Sequence, residues 1–461
     1  MATAPRSQST SQPSLSLVQA DAPGIGSQAR WGLALSLVLM LAALLVLVAV
    51  EYALPSGYNA RWWGINPLGA RHWAKHLHFT PPDALSAAHW ALVFRLALLG
   101  LWLGYAGLAW CARRGAAPTL RQTLLLTATI SLALALYAPP LLATDAYAYA
   151  AYAREWVLFG QNPYFTLPYS FLAARQDPSS LFLAWNLPTV YGPVWTWLTV
   201  AVVGALPPAL LSGDVLGMKL MEAAALALCA GSAGRIAEGL KPGRGRLVAL
   251  LVGVNPLLLL EGPAAGHNDL LMMALTLTAA ACFLERKFAR AGLWLGLAAG
   301  VKLLPLALIP WLLLTILQTL PTWRGKARAA GRLLACAALP LVVAFAPFWH
   351  GWGTLGALHQ RAQIGHSTLL WAGVAYAAAT VWLMRRPQPA GWLTAWAAFC
   401  AVLMLTGMGF AFPWYIAWVW PVLLLRPGRA HAAASALVWP LALLWESLYA
   451  TLTPLRVLLG H

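Results

Sequence analysis

Apolar residues along this chain gather into long runs. They show neither the alternation of a half-buried strand nor the one-sided stripe of a soluble helix. The runs predict spanning helices near 31–53, 89–112, 121–143, 215–238, 246–263, 268–286, 291–303, 304–320, 332–349, 367–385, 391–409, 412–426 and 432–453. About 20 residues cross a hydrocarbon core, and backbone groups there must be paired internally, so such runs read as helices. The fold class expected is all-α and polytopic: a bundle of about 13 transmembrane helices, with loops and short interfacial helices on its outer face. One apolar run, "VYGPVWTWLTVAVVGAL", is left over before Pro207 and Pro208.

Composition agrees with the pattern. Hydrophobic residues make up 61% of the 461 positions and charged residues 9%, far from a soluble domain. Charge then orients the bundle. The 30 basic residues greatly outnumber the 13 acidic ones. Most of them fall in what read as short loops: "RRG" at Arg113, "KPGRGR" at Lys241, "ERKFAR" at Glu285, "RGKARAAGR" at Arg324, "MRRP" at Met384 and "RPGR" at Arg426. That distribution is the positive-inside signature, which places these segments in the cytoplasm and removes nucleic acid as the reason for the charge. Residues 1–30, rich in Ser, Gln, Ala and Pro, read as a disordered cytoplasmic tail. Residues 31–461 read as one transmembrane domain of the cytoplasmic (inner) membrane.

The leftover run decides the topology. If 191–206 crossed fully, the "KPGRGR" and "ERKFAR" segments would lie outside. If it is re-entrant or lies along the outer face, every basic segment returns inside. The second version is preferred, and it implies a protein-covered cavity on the outer side. Segments 54–88, 144–214 and 350–366 then form the outer-face loops. The five cysteines sit singly in apolar runs and read as packing residues.

Ionisable residues at membrane depth mark function by default. Asp145, Glu155, Glu222, Glu261 and Asp269 are the acids not explained by a tail, a loop or a span end. In "TDAYAYAAYAREW", Asp145, Tyr149, Tyr152 and Trp156 share one helical face beside Arg154, and the segment ends in "GQNPY", with Asn162. Asp145 or Thr144 could simply cap that helix. The other reading is a carboxylate that takes a proton from a sugar hydroxyl, with aromatic faces, Tyr191 among them, for the sugar ring. In "EGPAAGHND", His267, Asn268 and Asp269 stand at a helix start. They suit a cap, a nearby phosphate, or, for His267 and Asp269, a divalent metal. Lys302 sits between two short apolar runs, either snorkelling or binding a phosphate. Arg361 and His366, in "HQRAQIGHST", are further phosphate candidates. No nucleotide loop, zinc-protease or nucleophile-elbow motif occurs.

Four segments in order, "TDAYAYAAYAREWVLFGQNPY", "YGPVW", "NPLLLLEGPAAGHNDLLMMAL" and "AGLWLGLAAGVKLLPLALIPWLL", resemble the GT-C superfamily of membrane glycosyltransferases. The similarity covers roughly 121–425 and is strongest to polyprenol-phosphomannose-dependent α-1,6-mannosyltransferases. It implies a polyprenyl-phosphate sugar donor, a glycan or lipid-linked acceptor, and catalysis on the outer face. An outer-loop aspartate acts as base in that superfamily, and it corresponds to Asp145. The family's "GHND" corresponds to 267–269, and its Lys-x-x-Pro to Lys302 and Pro305. Two extra spans precede Asp145, a departure from many relatives. A transporter or flippase for a lipid-linked sugar is the alternative, but no internal repeat supports it.

Overall fold

A computed structural model describes residues 25–53, 84–140, 145–168, 170–182, 186–356, 366–406 and 413–425. Among these the chain is helical throughout. In chain order the α-helices are α1 (Ile25–Ala53), α2 (Ala84–Cys111), α3 (Leu120–Tyr137), α4 (Asp145–Phe159), α5 (Leu172–Gln176), α6 (Pro193–Gly204), α7 (Leu211–Leu240), α8 (Gly245–Gly253) and α9 (Pro256–Leu259). They continue with α10 (Asp269–Leu284), α11 (Phe288–Ala299), α12 (Leu308–Thr319), α13 (Trp323–Phe345), α14 (His366–Arg385), α15 (Gly391–Thr406) and α16 (Trp420–Leu425). A π-turn over Leu260–Ala264 follows α9, and a 3-10 turn over Pro413–Trp418 precedes α16.

Five of these stretches are long and apolar enough to cross a membrane, or up to six if the bent pair Gly245–Gly253 and Pro256–Ala264 counts as one. The thirteen expected spans are therefore not all full-length helices. Shorter apolar helices fill several of the expected positions, such as Asp269–Leu284 and Phe288–Ala299. Of these two, the first begins and the second ends beside the Asp269–Lys302 pair. Two boundaries also move. Helix α1 begins at Ile25, inside the expected tail. The "RGKARAAGR" segment is no loop but the first turns of α13, where the Thr322 hydroxyl caps the Gly325 N–H and helix-forming Ala, Arg and Lys follow. The expected span 432–453 lies outside the described residues.

Helices α1 and α2 form an antiparallel pair. Gly104 and Gly107 leave room for Met40 and Ser36, so the two backbones approach closely. Much of α1 faces outward with bare leucine and valine, as a lipid-facing helix does. A three-glycine stripe sets α11. Additional methyl groups at Gly292 and Gly296 would strike the carbonyls of Leu333 and Ala337 on α13, and one at Gly300 would strike Val194 on α6. The stripe thus lets α11 nestle between α13 and α6.

The bundle has two chemically distinct ends. At one, Arg235 pairs with Glu285, and Arg244 donates to the carbonyls of Leu424 and Leu425. Gln318 reaches the Leu383 carbonyl just before Arg385 and Arg386. At the other, Lys219 donates to the carbonyls of Leu134 and Ala138, and Lys302 pairs with Asp269. Glu222 and Leu240 on α7 are separated by about 27 Å at 1.5 Å per residue, close to a hydrocarbon thickness. Helix α6 does not travel that distance. Its start bonds the Gly300 carbonyl, and near its end Val202 abuts Gly217, two residues before Lys219.

Candidate active site

Four segments converge on a polar cluster at the end away from the paired arginines: the start of α4, the "YGP" lead into α6, the turn 261–269, and the Lys302 junction after α11. Each is placed by a local device. Pro193 occupies the first turn of α6, and the N–H groups of Gly192, Val194 and Trp195 bond the carbonyls of Val301 and Gly300. This ties Tyr191 to Lys302. Gly266 has φ of +87°, a left-handed conformation that favours glycine, and a Cβ there would sit 3.2 Å from Ala146. The turn can therefore press against the start of α4 and bring His267 to Asp145.

Asp145 is half-buried. Its Oδ1 accepts the Tyr191 hydroxyl at 2.7 Å, and its Oδ2 lies 3.4 Å from His267 Nε2. His267 Nδ1 lies 3.0 Å from Glu261 Oε2, and the ring stacks on Trp414 with centroids 3.9 Å apart. Burial by itself would raise the Asp145 carboxyl. The His267 contact, the Tyr191 hydroxyl and the charge of Lys302 oppose it and hold the group below its ordinary value. Burial likewise disfavours the imidazolium of His267, but bonds to Asp145 and Glu261 outweigh it and raise the group to about 10.

The Lys302 ammonium lies 2.6 Å from Asp269 Oδ2, near the rings of Tyr191 and Tyr415. Asp269 Oδ1 accepts the Trp418 indole N–H at 2.7 Å. Asn268 precedes α10, and its buried side-chain amide meets no partner among the described residues. Its backbone N–H approaches the Tyr149 hydroxyl at 3.5 Å. Tyr149 packs edge-on to Tyr191 and Trp195, and burial pushes its hydroxyl well up. Tyr152 donates to the Leu187 carbonyl at 2.9 Å and leans on Tyr191. The expected face of α4 is real, and it packs on α6 rather than forming an interfacial belt. Thr144 lies outside the described residues.

The structure places other expected residues elsewhere. Arg154 is buried and committed to the protein: it pairs with Asp177 and Asp214 and donates to the Pro208 carbonyl. Asn162 ties a turn instead, bonding the Tyr164 N–H and the Phe348 carbonyl. Arg361 lies outside the described residues. His366 opens α14, and its side chain is likewise outside them.

The donor set does not suit a metal. Both oxygens of Asp269 are taken by Lys302 and Trp418, and His267 is spent between two carboxylates. No cluster of three or more His, Cys, Asp or Glu side chains with metal-holding geometry occurs among the described residues. Three participants escaped sequence reasoning. Trp414 and Trp418 were indistinguishable from ordinary interfacial aromatics. Glu261 stood out as an unexplained acid, but nothing in the spacing tied it to His267.

Residues 30–318 match the family described as alpha-(1->6)-mannopyranosyltransferase, N-terminal domain, of the MptA/B group. No curated protein and no solved structure matches the chain. The matched stretch takes in Asp145, Tyr191, Glu261, His267, Asp269 and Lys302, whereas Trp414 and Trp418 lie beyond it. This helical, polytopic membrane protein thus belongs to the MptA/B family of alpha-(1->6)-mannopyranosyltransferases and is a hexosyltransferase.

Proposed function

We propose that the chain moves mannose from a polyprenyl-phosphate donor to a hydroxyl of a glycan or lipid-linked glycan acceptor. Asp145 acts as the base in a single displacement that inverts the anomeric carbon. The observation that carries this reading is the half-buried Asp145 carboxylate, held between Tyr191 and His267 beside the Lys302 ammonium. A base kept ionised in a water-poor cleft can accept the acceptor's proton as its oxygen attacks. The bond from the anomeric carbon to the donor phosphate breaks, and the electron pair leaves with the phosphate oxygen. Lys302, with ammonium protons beyond the one given to Asp269, stabilises that charge as it builds. The rings of Tyr191 and Tyr415 border the same space and suit the apolar face of a sugar.

The cluster lies at the outer interface of the cytoplasmic membrane in this reading, with the N-terminus inside. Its support is the separation of the two ends: paired arginines at one, the Asp145 cluster about one hydrocarbon thickness away. The shorter helices would complete their crossings with the turns that flank them, for a total near 13 passes with 432–453. Both contacts of α6 lie toward the cluster end, which favours the re-entrant placement of 191–206.

The test is transfer in proteoliposomes. Purified protein is given labelled polyprenyl-phosphomannose and a synthetic alkyl α-mannoside. Label appearing in the acceptor, with nucleotide sugar unable to replace the donor, supports the proposal. Label crossing the bilayer with no new glycoside would overturn it in favour of a flippase.

A further inference from the structure

We propose that His267, backed by Glu261, is a positioning residue that keeps Asp145 ionised and aimed as the base. The inference rests on the reading of Asp145 as the base and adds a charged support that this reading does not require.

The argument begins with geometry. The imidazole lies between two carboxylates on opposite sides, Glu261 Oε2 at 3.0 Å from Nδ1 and Asp145 Oδ2 at 3.4 Å from Nε2. Nε2 is buried and meets no partner among the described residues other than that Asp145 oxygen. A neutral ring that gives its Nδ1 proton to Glu261 would turn the Nε2 lone pair toward a carboxylate, two negative edges facing each other. A doubly protonated ring satisfies both sides. The ring is also unable to swing away. Trp414 covers one face nearly parallel to it, at 19°, and its backbone N–H is tied to the Glu261 carbonyl at 3.0 Å. Gly266 holds the turn against Ala146, so helix α4 and the imidazole keep a fixed register.

Other charged or titratable groups face this pair. Tyr149 comes from α4, Tyr191 from the lead into α6, Lys219 and Glu222 from α7, Asp269 from α10, Lys302 from the α11 junction, and Tyr415 from the 413–418 turn. Lys302 is the other cation acting on Asp145, and it is engaged by Asp269. Removing His267 therefore leaves the carboxylate with the Tyr191 hydroxyl, a lysine shared with Asp269 and its own burial. An opposite charge at this range favours the ionised carboxyl, so its loss raises the group. The raised position of His267, near 10, accords with the same picture.

The consequences fall on different limbs of the pH profile. A base must be ionised, so activity falls as pH drops through the Asp145 pKa. In His267→Gln the acidic midpoint of kcat/KM moves up by about 1–3 pH units, and turnover recovers in part at alkaline pH. In Glu261→Gln the imidazolium loses a counter-charge and deprotonates at lower pH. The alkaline step, from full turnover down to the partial level of His267→Gln as the ring stops aiming Asp145, then moves to lower pH while the acidic limb stays nearer to wild type.

The experiment is a pH series from about 3 to about 11 on full-length protein in detergent, using polyprenyl-phosphomannose and an alkyl α-mannoside. Each variant is first checked for a monodisperse elution profile. An upward acidic shift in His267→Gln with a downward alkaline shift in Glu261→Gln is the expected result. A loss of equal factor at every pH would mean structural packing alone and would overturn the proposal. If His267→Gln does not fold, Glu261→Gln decides by itself, and an unmoved alkaline limb overturns the idea. Asp145→Asn is run beside them. Near-normal turnover there would remove Asp145 as the base, a failure distinct from flat profiles in the other two.

Discussion

Replacing Arg154 with methionine separates a structural arginine from a phosphate-binding one. The guanidinium is 3% exposed and bonds three segments: Asp177 after α5 at 3.0 Å, Asp214 at the start of α7 at 2.9 Å, and the Pro208 carbonyl at 2.6 Å. Methionine keeps most of the packing and abandons two buried carboxylates. Breaking a buried pair by removing one partner costs about 3–5 kcal/mol. The segment released is the one Asp177 anchors, through its bonds to Arg154 and to the Ser179 N–H and hydroxyl. At about 1.4 kcal/mol per decade, backbone amides of 170–182 should exchange roughly a hundred- to several-thousand-fold faster. Hydrogen exchange read by mass spectrometry measures this directly. Adding Asp177→Asn and Asp214→Asn to Arg154→Met removes the stranded charges and should recover much of the protection. The asparagine carbonyl can still accept the Ser179 N–H that Asp177 now holds at 2.9 Å. Unchanged exchange in Arg154→Met, together with lost donor use, would refute this reasoning and return Arg154 to the donor phosphate.

Three further outcomes are expected. Lys302→Met should lower kcat/KM for the polyprenyl-phosphate donor by about 10²–10³-fold, the usual loss of one charge-stabilising donor, with the acceptor KM little changed; equal losses for both substrates would indicate a packing role. Among the described residues neither carboxyl oxygen of the buried Glu155 has a hydrogen-bond partner, and burial pushes the group up to about 9 from 4.5. A raised carboxyl contributes stability below its unfolded pKa and loses it as pH rises through the folded one, so Glu155→Gln should melt above wild type by a margin that grows from pH 5 to pH 9, and a margin flat with pH would contradict this. Cysteines placed at the exposed Gln161 and Lys241 should react with a membrane-impermeant maleimide from opposite sides of the bilayer, and labelling of both from one side would overturn the proposed orientation.

Much of the cluster was legible because its residues are anomalies in an apolar text. An aspartate at a span exit, a His-Asn-Asp turn at a helix start and a lone lysine between short runs each stand out at membrane depth. Their convergence was not legible, since it depends on a glycine stripe on α11 and a left-handed glycine at 266. Arg154 was misread for a specific reason: its partners lie 23 and 60 residues away, so its charge looked available. The same blindness hid the tie between Glu261 and His267. The count of spans followed residue hydropathy, whereas α10 begins and α11 ends beside the Asp269–Lys302 pair. The basic start of α13 was read as a loop because charge was weighed above the helix-forming tendency of Ala, Arg and Lys.

The central claim is that Asp145 is the base that takes the acceptor's proton. Single-turnover transfer from labelled polyprenyl-phosphomannose, in wild type and in Asp145→Asn reconstituted at equal density, tests it most directly. The account predicts that transfer falls by about 10²-fold or more in the variant while donor binding is retained. Transfer at near wild-type rate with asparagine at 145 would contradict it.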